Sequence, residues 1–143
     1  HIVETESTRD DAPRELSLYA TESYFTGRNS RLRRYSLRMD GFASIHAKLQ
    51  EGELKTNPVT FSGKELSLNV ATSAAGAVRV EICDLDQAPI PGFSLDECDL
   101  IYGDSIDRHV TWKNNTNVEC LIGTPVILRF VMHEADLYSL IFE

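Results

Sequence analysis

Seven acidic residues crowd one stretch of the chain: Asp84, Asp86, Asp96, Glu97, Asp99, Asp104 and Asp107. Oxygen-rich loops of this kind can hold a calcium ion, or supply the two carboxylates of a glycoside-cleaving acid/base pair. Their spacing lacks the calcium-loop pattern with its glycine at the sixth position, so they read as solvated loops. His46, His109 and His133 are scattered, and no GxSxG-type signature accompanies them. That leaves a nucleophile–histidine–acid triad without support. Cys83, Cys98 and Cys120 are separated by 15 and 22 residues, with no CxxC and no histidine at zinc spacing. They read as buried thiols. The sequence therefore nominates no catalytic residue, no metal ligand and no cofactor.

Two other constellations could bind rather than react. Arg28, Arg31, Arg33, Arg34 and Arg38 place five guanidiniums in 11 residues, beside Tyr24, Phe25 and Tyr35. On a strand, Arg34 and Arg38 fall on one face while Arg31 and Arg33 fall on the other, so they form no single basic stripe. The net charge of -8 repels phosphate backbones and anionic membranes, which demotes nucleic acid and lipid as partners. The preferred reading is a docking surface, with Arg31, Arg33, Arg34, Tyr24 and Phe25 facing carboxylates of a neighbouring domain through bidentate guanidinium pairs. The alternative is a carbohydrate site, in which Trp112 and Tyr102 stack on a sugar ring and Asp104 takes its hydroxyls. Asn114, Asn115 and Thr116 make a glycosylation sequon, a tripeptide too common to add much.

The elements that would position these residues are strands. At 143 residues, with 42% hydrophobic and 25% charged side chains, the chain has an ordinary globular composition that fills one core without a disulfide or metal staple. Its eight glycines fall mostly 11 to 16 residues apart, near the turn rhythm of a sandwich or barrel. Leu66, Leu68 and Val70 alternate with Ser67 and Asn69, and Val78, Val80 and Ile82 alternate with Arg79 and Glu81, which predicts half-buried strands. Val126 to His133 and Leu137 to Phe142 flank the short connector Glu134, Ala135, Asp136 and predict a closing hairpin. Further strands are expected over 16–21, 32–38, 42–48, 59–61 and 110–113, making roughly ten. The two prolines of 88–91 imply an irregular surface loop. The polar first 15 residues read as a tail or linker. No apolar run approaches the roughly 18 residues of a membrane span, and the start is too polar for a signal-peptide core. The opening at His1 suggests a piece of something longer, which leaves localisation open.

From Leu32 onward, the runs LRRYSLRMDGFASIHA, RVEICD, PIPGFSLDECDLIYGD, VTW and PVILRFVMHEADLYSLIF resemble a known arrangement. They are similar to the C-terminal β-sandwich of bacterial glycoside-hydrolase-like five-bladed propeller proteins, the invertase and levanase type with its sialidase-like relatives. The resemblance covers roughly 16–143. It implies an all-β, jelly-roll-like, concanavalin-like antiparallel sandwich over 42–143, preceded by strands over 16–41 that resemble the end of a propeller blade, with 1–15 as linker. The hydrolase carboxylates of that family lie on the propeller, so the resemblance carries no catalytic residue onto this chain. What it implies is an accessory domain that buttresses an upstream propeller and sometimes mediates a homodimer.

Overall fold

The structure, a computed structural model, describes residues 1–10, 12–25 and 30–143, which divide into two units, His1–Ala43 and Ser44–Glu143. Both are built of antiparallel strands, and the described residues contain no α-helix. The first unit is a meander in the order β1 (Ile2–Thr5), β2 (Glu15–Glu22) and β3 (Arg31–Arg38). Residues 2–5, expected to be tail, are thus its first strand, paired from Ile2↔Leu18 to Thr5↔Glu15.

The second unit is organised by two long strands. They are β6 (Leu66–Cys83) and β8 (Ile127–Phe142), paired from Leu66↔Phe142 to Cys83↔Ile127. β4 (Ile45–Ala47) and β5 (Gly52–Lys55) line up on the far edge of β8, and β7 (Asp104–His109) pairs with β6. One face of this sheet carries the core: Leu66, Leu68, Val70, Val78, Val80 and Ile82 of β6 beside Leu128, Phe130, Met132, Ala135 and Leu137 of β8. The segment between Cys83 and Ile127 closes over it with Phe93, Cys98, Ile101, Val110, Trp112, Val118 and Leu121. That segment is mostly irregular, with one turn of 3-10 helix at Glu119–Leu121.

The expected closing hairpin does not form. Glu134, Ala135 and Asp136 lie inside β8, and the two apolar runs on either side of them are halves of one strand. Leu66–Val70 and Val78–Ile82 are likewise halves of β6. Each half finds a longer partner across the β6/β8 pair than it would by folding back on its neighbour. The signal mistaken for a turn is a bulge: Ser73 to Gly76 are the excess of β6 between the pairs Thr72↔Ala135 and Ala77↔His133. Glu134 sits opposite at φ 43°, and the core-facing positions of β8 switch there from even numbers to odd ones. Gly76 is required at this crossing, since a Cβ would stand 2.3 Å from the Glu134 carbonyl oxygen. The described residues therefore hold eight strands, not ten. Val59 and Trp112, expected within strands, make single bridges only, to Val126 and to Cys98 and Asn115.

The outer face of β6 is exposed at Arg79, as the half-buried expectation has it, but covered at its other predicted positions. Ser67, Asn69 and Glu81 are all buried. Glu81 is held by the Arg129 guanidinium at 2.9 Å and by the Leu95 backbone N–H at 3.0 Å, while Arg129 reaches Glu53 of β5 at 2.8 Å. This three-strand ion cluster makes the burial of a carboxylate tolerable, because both charges are paired and hydrogen-bonded. Phe130 packs at the centre of the core with no exposed surface. Phe130→Ala is expected to cost about 3–5 kcal/mol, the usual range for removing a buried aromatic ring, as read from urea unfolding followed by Trp112 fluorescence.

Candidate functional site

The register of the first unit separates its two faces. Val3, Thr5, Glu15, Ser17, Tyr19, Arg34, Ser36 and Arg38 share one, and Ile2, Leu16, Leu18, Glu22, Arg31, Arg33, Tyr35 and Leu37 share the other. On the first face Arg34 is a clasp. Its guanidinium donates to Ser17 Oγ, Thr5 Oγ1 and the Glu15 carboxylate, each at 2.7 Å, and so ties all three strands together. Arg34, expected on a docking surface, is instead spent inside the sheet. Ser17 beneath it is the one buried residue among those described in this unit.

The opposite face is apolar at one end and charged at the other. Ile2, Leu16, Leu18, Tyr35 and Leu37, together with Phe42, line a cleft of about 160 Å³. Beside it Arg31 and Arg33 meet Glu22 at 2.7 and 2.9 Å, and the Tyr35 hydroxyl donates to the same carboxylate. The Tyr35 bond, followed by that of Arg31, holds the Glu22 carboxyl below its ordinary pKa, and the same contact raises that of Tyr35. At the end of the hairpin Tyr24 and Phe25 meet edge to face at 4.8 Å, with Phe25 93% exposed. Arg28 lies outside the described residues. Of the five docking residues expected, then, Arg31, Arg33, Tyr24 and Phe25 are exposed, and Ile2, Leu18 and Phe42 add apolar surface at the cleft that the arginine signal did not flag, while the exposed Val3, Tyr19 and Leu32 lie on the Arg34 face.

The carbohydrate constellation does not assemble. Trp112 is 2% exposed, packs edge to face on Phe93, and donates its indole N–H to the Val80 carbonyl at 3.0 Å. It is a core residue with its one polar atom satisfied, and has no face to offer a sugar. Tyr102 is 64% exposed but lies against the Arg108 guanidinium, 5.9 Å from the ring centroid, and Asp104 is exposed at the start of β7. A groove of about 340 Å³ on this unit, lined by Arg79, Leu95, Asp96, Leu100, Arg129 and His133 among others, has no Phe, Tyr or Trp in its described lining. Asn114 of the sequon sits at φ 63° in an exposed turn closed by the Trp112–Asn115 pair.

The acidic stretch is mostly engaged in loop structure. Asp84 accepts from the backbone N–H groups of Asp86 and Ala88, and Asp99 from the Thr111 hydroxyl and the Asn114 N–H. Glu97 pairs with Lys113 at 2.6 Å, and this contact, with the Ser94 hydroxyl, pulls its carboxyl down to about 2. Asp107 is different. It meets His109 and Glu143 in an exposed cluster whose ligating atoms all lie within 4.8 Å of one another. The three are brought from β7 and from the residue after β8, with Glu65 approaching His109 Nδ1 at 3.2 Å. Nothing in the linear spacing signals this set.

Burial pushes the thiols of Cys83 and Cys98 up to about 11, with the Glu81 charge adding to the effect at Cys83, whereas Cys120 is exposed. No family model, curated protein or solved structure matches the chain. The buried environments have direct readouts. Iodoacetamide at pH 8 is expected to label Cys120 alone in the native chain, by mass spectrometry, and Trp112 emission is expected to resist aqueous quenchers until the chain unfolds. Rapid labelling of all three thiols would contradict this packing.

Proposed function

We propose that the chain is a non-catalytic accessory β domain that docks onto a neighbouring domain through the apolar face of its N-terminal sheet. On the resemblance of its sequence, that neighbour is the upstream propeller of a glycoside hydrolase, and the second unit is the concanavalin-like sandwich that accompanies it. The observation that carries the reading is an imbalance. Residues 44–143 bury a full core, whereas the described residues of His1–Ala43 bury no apolar side chain at all. A three-stranded sheet gains independent stability from a covered hydrophobic face, and His1–Ala43 is close to the size, about 40 residues, below which a piece usually needs outside support to fold. Ile2, Leu16, Leu18, Tyr35, Leu37 and Phe42 are such a face without its cover. Arg31 and Arg33, half-satisfied at its border by one shared Glu22, add the rim of guanidiniums that protein interfaces favour. The carbohydrate-binding alternative loses its principal residue with the burial of Trp112.

Hydrogen exchange on the chain alone tests this. Amides of β2 and β3 are expected to exchange far faster than those of β6 and β8. A propeller of the stated class, supplied in trans, should slow them, and Leu18→Lys with Tyr35→Lys should abolish that protection. Equal protection of the two units in a monomeric sample would overturn the proposal. Protection that rises with concentration of the chain itself would assign the face to a second copy.

A further inference from the structure

We propose that Asp107, His109 and Glu143 bind a divalent transition-metal ion, of which zinc is the reference case, with Glu65 orienting the imidazole. The placement follows from the register. Ser67 pairs with His109 on one side and with Ile141 on the other, and Glu65 and Glu143 exchange backbone hydrogen bonds at 3.0 and 2.8 Å. Counting by twos, Glu65, Ser67, Asp107, His109 and Glu143 all belong to one face of three adjacent strands. Donors carried by paired strands are held more closely to a fixed geometry than donors on loops.

The donor set is mixed, which distinguishes it from the acidic loops described above. Two carboxylates and an imidazole whose ligating atoms lie within 4.8 Å of one another can converge on one ion, and water can complete four-coordination on the exposed side. The imidazole selects for zinc and its neighbours over calcium or magnesium, which prefer oxygen alone. Glu65 stands 3.2 Å from His109 Nδ1 and is itself held at 2.7 Å by the Thr116 hydroxyl. A carboxylate on one imidazole nitrogen fixes the ring and leaves Nε2 for a metal, the usual outer arrangement of a histidine ligand. Ser67, fully buried below, donates its hydroxyl to Asp107 and restrains that carboxylate. The charges are also unbalanced. Among the described residues no Lys or Arg pairs with Asp107 or Glu143, the ionic contact of Glu65 is with His109, and the adjacent Lys64 is taken by Glu119 at 2.8 Å. A cation is the missing counter-charge.

The test is calorimetric titration of the metal-free full chain with zinc chloride, read alongside imidazole carbon–proton NMR spectra. Saturation at one ion per chain is expected, with His109 as the ring whose resonances move. Asp107→Asn should weaken binding at least tenfold, and Glu65→Gln ten- to a hundredfold, the range for a residue that orients a ligand. Circular dichroism in EDTA checks that each variant folds, and the wild-type NMR spectra stand without them. Excess calcium should not displace zinc. The proposal is overturned by the absence of saturable binding, by shifts confined to His1, His46 or His133, or by calcium competing on equal terms.

Discussion

The pairing of β6 with β8 sets the terms for the whole second unit, because both strands are far longer than a usual strand and each is interrupted by a bulge that the other must match. At this bulge β8 changes side-chain parity while β6, with four residues in excess, returns to its even-numbered core positions, so both keep an apolar face on the core. Here Ser73 to Gly76 bulge out opposite Glu134, and Gly76 permits the close approach. The short strands β4, β5 and β7 then have edges to join. The irregular segment between the two long strands has one apolar face to cover, which is why Trp112 and Phe93 are drawn inward.

The first unit holds together by other means. Its three strands are clasped on one side by Arg34 through hydroxyls and a carboxylate, a network that fixes register but removes little apolar surface from water. Its other side keeps its apolar groups exposed. Such a sheet spends its polar bonds on internal order while Val3, Tyr19 and Leu32 of the clasped face also stay exposed, and the docking proposed above would cover the apolar groups of the cleft side. The two candidate surfaces of this chain are of different kinds, one apolar and proposed to dock a neighbouring domain, the other a charged cluster proposed to hold a cation.

Period-two alternation identified the core faces of β6 correctly, and the repeated turn residues pointed to an all-β chain, since both are local consequences of strand geometry. The same local reading divided β6 and β8 into four strands, because a bulge and a turn present the same small and polar residues to the eye. Ser67 and Glu81 looked like solvent-facing positions, yet they are covered by Asp107 and by the Arg129 and Leu95 contacts from elsewhere in the chain. Trp112 illustrates the limit well: its type suits either a sugar platform or a core, and its sequence neighbours do not say which.

What the sequence by itself determined is the class of structure and the composition of some of its surfaces: strands, an acidic stretch over 84–107, and an arginine-rich stretch with aromatic neighbours. Those properties are set by side-chain period and by charge, which are read along the chain. Tertiary structure alone decided which arginine is consumed as a clasp, which aromatic ring is buried, and that Asp107, His109 and Glu143 meet. These are matters of pairing between residues dozens of positions apart, and register across three strands is a property that no stretch of sequence contains on its own.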